Sequence, residues 1–154
     1  GAGNRTPPNL PPALLGAYKA TDFVVVDPAI TVRVGQASAE MDAELHARGT
    51  HRAVVVTAWN PFSEDTAQQA NELRQQLLRH ALQSEGLEVR DAEGRDPAGI
   101  WPPEPSLLVM ATDPALEDRL LRDHEQHAIV VIERGEPVRL ALHPDHRRND
   151  AFQA

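Results

Sequence analysis

The chain has no cysteine, which removes disulfides, a thiol nucleophile and thiolate metal ligation from its chemistry. Lysine is almost missing as well. Lys19 is the only lysine among 15 basic residues, against 23 acidic ones, and the formal net charge is −8. A surplus of negative charge repels phosphate backbones, so no nucleic-acid partner is expected. Aromatic side chains make up 4% of the residues, which leaves Ala, Val and Leu to fill most of the core. No apolar run approaches the roughly 18 residues that suggest a membrane span, and no membrane partner is expected. No secretory leader is recognisable. The chain opens Gly1-Ala2-Gly3 without a methionine, which reads as either a cloning scar or a truncated start. A cysteine-free composition suits the reducing cytoplasm, the expected location.

What is present is the composition of one folded domain. The 154 residues are 41% hydrophobic and 25% charged, enough to bury a sizeable core. The organising stretch is Ala53-Val54-Val55-Val56-Thr57-Ala58-Trp59-Asn60-Pro61. Its apolar run reads as a strand buried on both faces, and the Asn-Pro step turns the chain. One strand therefore delivers a threonine, a tryptophan and an asparagine to one edge of a sheet.

Around it the chain divides into a flexible segment 1–12, a domain 13–142 and a flexible tail 143–154. Prolines 7, 8, 11 and 12 stiffen the start, and a helix near Ala13 to Lys19 lays Leu14, Leu15 and Tyr18 on the domain. Two strand-like runs, Asp22 to Val26 and Ile30 to Val34, flank the turn Asp27-Pro28-Ala29. Ser38 caps a helix to Arg48, with Met41 and Leu45 inward and Glu44 beside Arg48. After the organising strand, Asn60 or Ser63 caps a helix reaching Ser84, whose expected buried stripe is Ala70, Leu73, Leu77 and Ala81. Gln75 is placed with other glutamines on its wet side.

Leu87 to Arg90 alternates as a strand, and Asp91 to Ile100 reads as a mobile loop. Ser106 to Ala111 is a second buried strand. Asp113-Pro114 opens a helix carrying Leu116, Leu120 and Leu121. His127 to Glu133 and Pro137 to Leu142 form a hairpin. The fold class is α+β: a mixed, mostly antiparallel sheet with helices packed on it. Its core has the split βαβ order of ferredoxin-like folds, extended by an N-terminal β-hairpin and helix.

Several blocks together resemble one family. They are Arg33-Val34-Gly35-Gln36, Thr57-Ala58-Trp59-Asn60-Pro61, Asn71, Gly94-Arg95-Asp96-Pro97, Trp101-Pro102-Pro103-Glu104-Pro105-Ser106 and Gln126-His127-Ala128. In this order they resemble the bacterial domain of unknown function 3293, over about Leu14 to Leu142. His124-Glu125 departs from that pattern, where an aromatic followed by Gly or Arg is more usual. The resemblance implies domain boundaries; the family carries no assigned reaction.

The candidate site is Arg33, Gln36, Thr57, Trp59, Asn60, Asn71, Arg74, Glu104, Ser106 and Gln126, all at element ends or stripe borders. Gathered by the sheet, they would line a polar crevice beside a tryptophan. Arg33 or Arg74 could fork onto an anion, so the expected ligand is small and anionic or amide-bearing. The competing assignment is structural, with Asn60 a cap, Trp59 a packing residue, and Gln126 and Glu104 satisfying backbone groups. The role expected is ligand or protein binding without catalysis. The alternative is a small hydrolase or transferase with Glu104 as acid/base and Asn60 with Arg33 or Arg74 holding substrate. A homodimer through the terminal hairpin is a third reading.

Two histidine sets, His124 with His127 and His143 with Asp145 and His146, match no ligand pattern, and no metal is assigned. No phosphate loop, dinucleotide fingerprint or nucleophile elbow is present, and no cofactor is assigned.

Overall fold

The computed structural model describes residues 5–147, so the first four residues and positions 148–154 of the expected tail lie outside the described residues. A helix α1 (Pro12–Ala20) precedes the hairpin β1 (Asp22–Val25) and β2 (Ile30–Val32). Then come α2 (Ala39–Ala47), β3 (Arg52–Val56), a 3₁₀ turn at Pro61–Ser63, and α3 (Gln68–Ser84). The chain continues through β4 (Val89–Arg95), β5 (Glu104–Met110), α4 (Pro114–Asp123), β6 (Ala128–Glu133) and β7 (Arg139–Leu142). One seven-stranded sheet runs β2-β1-β4-β5-β3-β6-β7, and every neighbouring pair is antiparallel. The fold is α+β, and the sheet is antiparallel throughout rather than mixed.

Side-chain alternation along the strands explains why β3 and β5 read as unbroken apolar runs. Val54 and Val56 of β3, with Leu107 and Val109 of β5, pack under Leu78 and Leu82 of α3 and Leu120 and Leu121 of α4. Ala53 and Val55, with Leu108 and Met110, face the other way and meet Met41 and Leu45 of α2. Ser38 caps α2 by accepting from the Met41 amide at 3.1 Å, and Asp113 caps α4 by accepting from the Leu116 amide at 2.8 Å. α2 covers only part of its face. The remainder, toward the Thr57 end of β3, lies beneath α1.

Five local expectations are corrected. The helix after the organising strand does not begin at Asn60 or Ser63. Asn60, Phe62 and Ser63 have φ of 46°, 50° and 60°, left-handed values that no right-handed helix accepts, so α3 starts at Gln68. With that start its inner row is Asn71, Leu78 and Leu82, while Leu73 and Leu77 are each 56% exposed. Gln75 also leaves the wet side, because its Oε1 accepts from the Ala58 amide at 2.9 Å. β4 runs on to Arg95 through residues expected as a loop, because it is paired on both sides: Asp91 opposite Leu107, and Arg95 opposite Asp22. Finally, Glu44 pairs with Arg90 at 2.8 Å, and Arg48 turns to Glu88.

Candidate functional site

The register of the sheet fixes what α1 covers. Phe23 of β1 stands opposite Gly94 of β4, which stands opposite Glu104 of β5. Residues opposite one another share a face. On that face β5 therefore carries Glu104, Ser106, Leu108 and Met110 in sequence. The last two are buried in the core under α2, whereas Glu104 and Ser106 line a cavity of about 340 Å³. Gly94 between Phe23 and Glu104 contributes no side chain, which leaves room over the sheet. Val55, Ala128, Val130 and Leu140 supply an apolar floor.

The roof is α1. None of its nine residues is buried, although Leu14 and Tyr18 point inward onto the cavity. A helix that lies over a cavity rather than a core cannot bury its apolar row completely. It is tied at its far side by the Tyr18 hydroxyl, 2.5 Å from Ser63 Oγ. Trp59 and Trp101 close the remaining walls.

The left-handed loop after β3 is held by amides and carboxamides. Asn71 Oδ1 accepts from the Asn60 amide at 2.8 Å, and Asn71 Nδ2 donates to Asn60 Oδ1 at 2.8 Å. Asn60 Oδ1 also accepts from the Thr66 amide at 3.1 Å, and the Phe62 amide donates to the Glu125 carbonyl at 2.6 Å. Arg74 donates to the carbonyls of Ala58 at 2.8 Å and His124 at 2.9 Å. This network keeps three non-glycine residues at positive φ, a conformation costing about 1–3 kcal/mol per residue that concentrates at functional sites.

Of the ten residues singled out in the sequence, the cavity wall gathers Thr57, Trp59, Asn60, Glu104, Ser106 and Gln126. Asn71 and Arg74 stand behind that wall and position the loop. Arg33 and Gln36 lie in a separate groove beside the start of α2, where Arg33 Nε donates to Asp22 at 2.5 Å. Tyr18, Phe23, Ser63 and Trp101 line the cavity and were not singled out. Two signals pointed to them: the inward row of α1 holds Tyr18, and the Trp-Pro-Pro-Glu block holds Trp101.

Most polar groups of the wall are already engaged. Thr57 Oγ1 donates to the Pro105 carbonyl at 2.7 Å, Ser106 Oγ donates to the Glu104 carbonyl at 3.3 Å, and Gln126 Nε2 donates to the His124 carbonyl at 3.0 Å. Glu104 differs. Its carboxyl accepts no hydrogen bond from any described residue, and burial alone pushes it up to about 7. Tyr18 is held up to about 12, first by burial, with the Ser63 contact acting the other way. Among the described residues, no Arg, Lys or His lines the cavity.

A second polar cluster lies at the chain's end. His127 Nδ1 is 2.8 Å from His146 Nε2, both buried, and His143 packs edge-on to Phe62. Burial first, then the neighbouring His146, holds His127 down to about 4. No group of three or more His, Asp or Glu that could hold a metal occurs among the described residues. No helix among them is long and apolar enough to cross a membrane.

The fold and cavity define an α+β domain with a roofed pocket on one sheet face. Residues 56–129 match the model of a family described as "Protein of unknown function (DUF3293)". The match runs from the end of β3 into β6, and so contains the Trp59 loop, Glu104 and Gln126. No curated protein and no solved structure matches the chain.

Proposed function

We propose that the domain binds a small organic molecule in the cavity between α1 and the sheet. The observation that carries this reading is Glu104, whose carboxyl has no partner among the described residues inside a cavity walled by Tyr18, Trp59 and Trp101. A half-buried carboxyl without a partner costs stability, and a fold tolerates that cost where the group has a ligand to meet. The volume of about 340 Å³ falls in the range of roughly 300–1,000 Å³ seen for ligand pockets. Of the two ligand classes raised by the sequence, the lining supports the hydrogen-bond donor, such as an amide, over the anion. Both candidate arginines are committed elsewhere.

The test is a thermal-shift screen of metabolites on the wild type, Glu104→Gln and Gly94→Val. The valine side chain enters the cavity beside Phe23. Ligands of this pocket stabilise the wild type and lose most of their effect in both variants. A ligand that stabilises all three proteins equally binds elsewhere and ends the proposal.

A second reading has one observation in its favour. A carboxyl held near 7 is matched to proton transfer at neutral pH, so Glu104 suits a general acid/base in a hydrolase or transferase. Turnover of a screened ligand that Glu104→Gln abolishes, with binding retained, would establish it.

A further inference from the structure

We propose that the pocket selects an organic amine, a protonated nitrogen on an apolar body, with Glu104 as its counter-ion. This deepens the ligand-binding reading and rests on it. Three features of the wall point to the class. The first is charge. Glu104 carries the one charge the lining can supply, and no cation in the lining competes for it. An anion would enter beside a carboxyl with nothing to balance it, whereas an ammonium would give Glu104 the partner the protein withholds.

The second feature is the aromatic frame. The described residues hold few aromatic side chains, yet Tyr18, Phe23, Trp59 and Trp101 all line this cavity. Their ring faces attract a cation within about 6 Å, Trp most strongly. The third is the floor of Val55, Val130 and Leu140, which accepts an apolar body and offers no hydrogen bonds. A bare inorganic cation would need several oxygen ligands that this floor does not provide.

The proton inventory follows from the same groups. Of the side chains facing Glu104 across the cavity, only Tyr18 of α1 titrates, and it stays neutral because burial holds it up to about 12. Below pH 7 Glu104 is largely protonated, so a bound ammonium must displace that proton to bulk water. Above pH 7 the carboxylate is ready. Amine binding therefore tightens as pH rises through 7. An amide would show a weaker dependence on pH, because its N–H groups can donate to the carboxylate and its carbonyl can accept from the protonated acid.

The experiment uses three probes of one shape: phenethylamine, phenylacetamide and phenylacetate. Binding is measured by calorimetry and ligand-observed NMR at pH 6 and pH 8, on the wild type, Glu104→Gln and Gly94→Val. The expected result is phenethylamine binding at least about tenfold tighter than either neutral or anionic probe at pH 8. Its affinity should rise from pH 6 to pH 8, release a proton at pH 6, and fall about tenfold or more in Glu104→Gln. Gly94→Val should block all three probes.

Preference for phenylacetamide or phenylacetate, with Gly94→Val still blocking it, overturns the amine class and leaves the pocket reading standing. Amine binding that Glu104→Gln leaves unchanged also overturns it. No binding of any probe at millimolar concentration overturns the amine class and the pocket reading together.

Discussion

Two glutamates show how environment sets the role of a carboxylate. Glu117 is 2% exposed and fully partnered: Arg52 donates to it through Nε at 2.7 Å and Nη2 at 2.6 Å, and Thr112 Oγ1 donates at 3.1 Å. Arg52 also reaches Glu133 at 2.9 Å, which locks β3 to α4 and β6. Glu104 has none of this support. Removing Arg52 would turn Glu117 into an unpaired buried charge, a defect costing about 3–5 kcal/mol. Arg52→Ala should therefore lower the unfolding free energy by about 3 kcal/mol or more in urea titration. The double variant Arg52→Met with Glu117→Leu should recover most of the loss. If Arg52→Ala costs less than about 1 kcal/mol, the forked pair is not structural.

At the scale of elements, α3 is where sequence periodicity and tertiary packing part company. Ala70, Leu73, Leu77 and Ala81 form a clean apolar row, yet all four are exposed, and the row that meets the sheet is Asn71, Leu78 and Leu82. The phase is set from outside the helix. Asn71 must reach Asn60, and Arg74 must reach the carbonyls of Ala58 and His124. Leu78→Ala should cost about 2–5 kcal/mol as a core truncation, and Leu77→Ala should stay within about 0.5 kcal/mol. Equal losses from the two would put the helix in the wrong phase.

The same contrast shows what was legible in the sequence. The buried strands β3 and β5 announced themselves because they are apolar on both faces, and α2 and α4 because Ser38 and Asp113 are cap residues. The extension of β4 to Arg95 was hidden, since Asp91, Gly94 and Arg95 carry loop propensities that only pairing with β1 and β5 overrides. The site was half legible. Thr57, Trp59, Asn60, Glu104, Ser106 and Gln126 sit at strand ends on one rim, whereas Arg33 and Gln36 follow an edge strand that leads to another groove. Tyr18 belongs to the roof, and nothing local in α1 tells a helix over a core from one over a cavity.

For the molecule as a whole, Glu104 and His127 pull stability in opposite directions between about pH 4.5 and 6.5. Glu104 titrates near 7 when folded and in the ordinary carboxylate range when unfolded. Between those values the native state keeps a proton that the unfolded chain has released, so stability falls as pH rises. His127 is held down to about 4 when folded, against about 6.5 when unfolded. There the unfolded chain keeps the extra proton, so stability rises with pH.

His124 and His143 are also lowered, first by burial, and add to the rising trend. Glu64, Glu88 and Glu133 are lowered by their arginine partners, and their contribution is lost only as pH falls below the carboxylate range. The window between thus separates the pocket acid from the histidines. Urea unfolding at several pH values from 5 to 6.5 should give Glu104→Gln a steeper rise of stability with pH than the wild type. His127→Asn should give a shallower one. Each change approaches one proton, or about 1.4 kcal/mol per pH unit. Parallel curves for the wild type and Glu104→Gln would show that the carboxyl titrates as it does in water. It would then meet solvent rather than a roofed cavity, and the ligand assigned to it would lose its anchor.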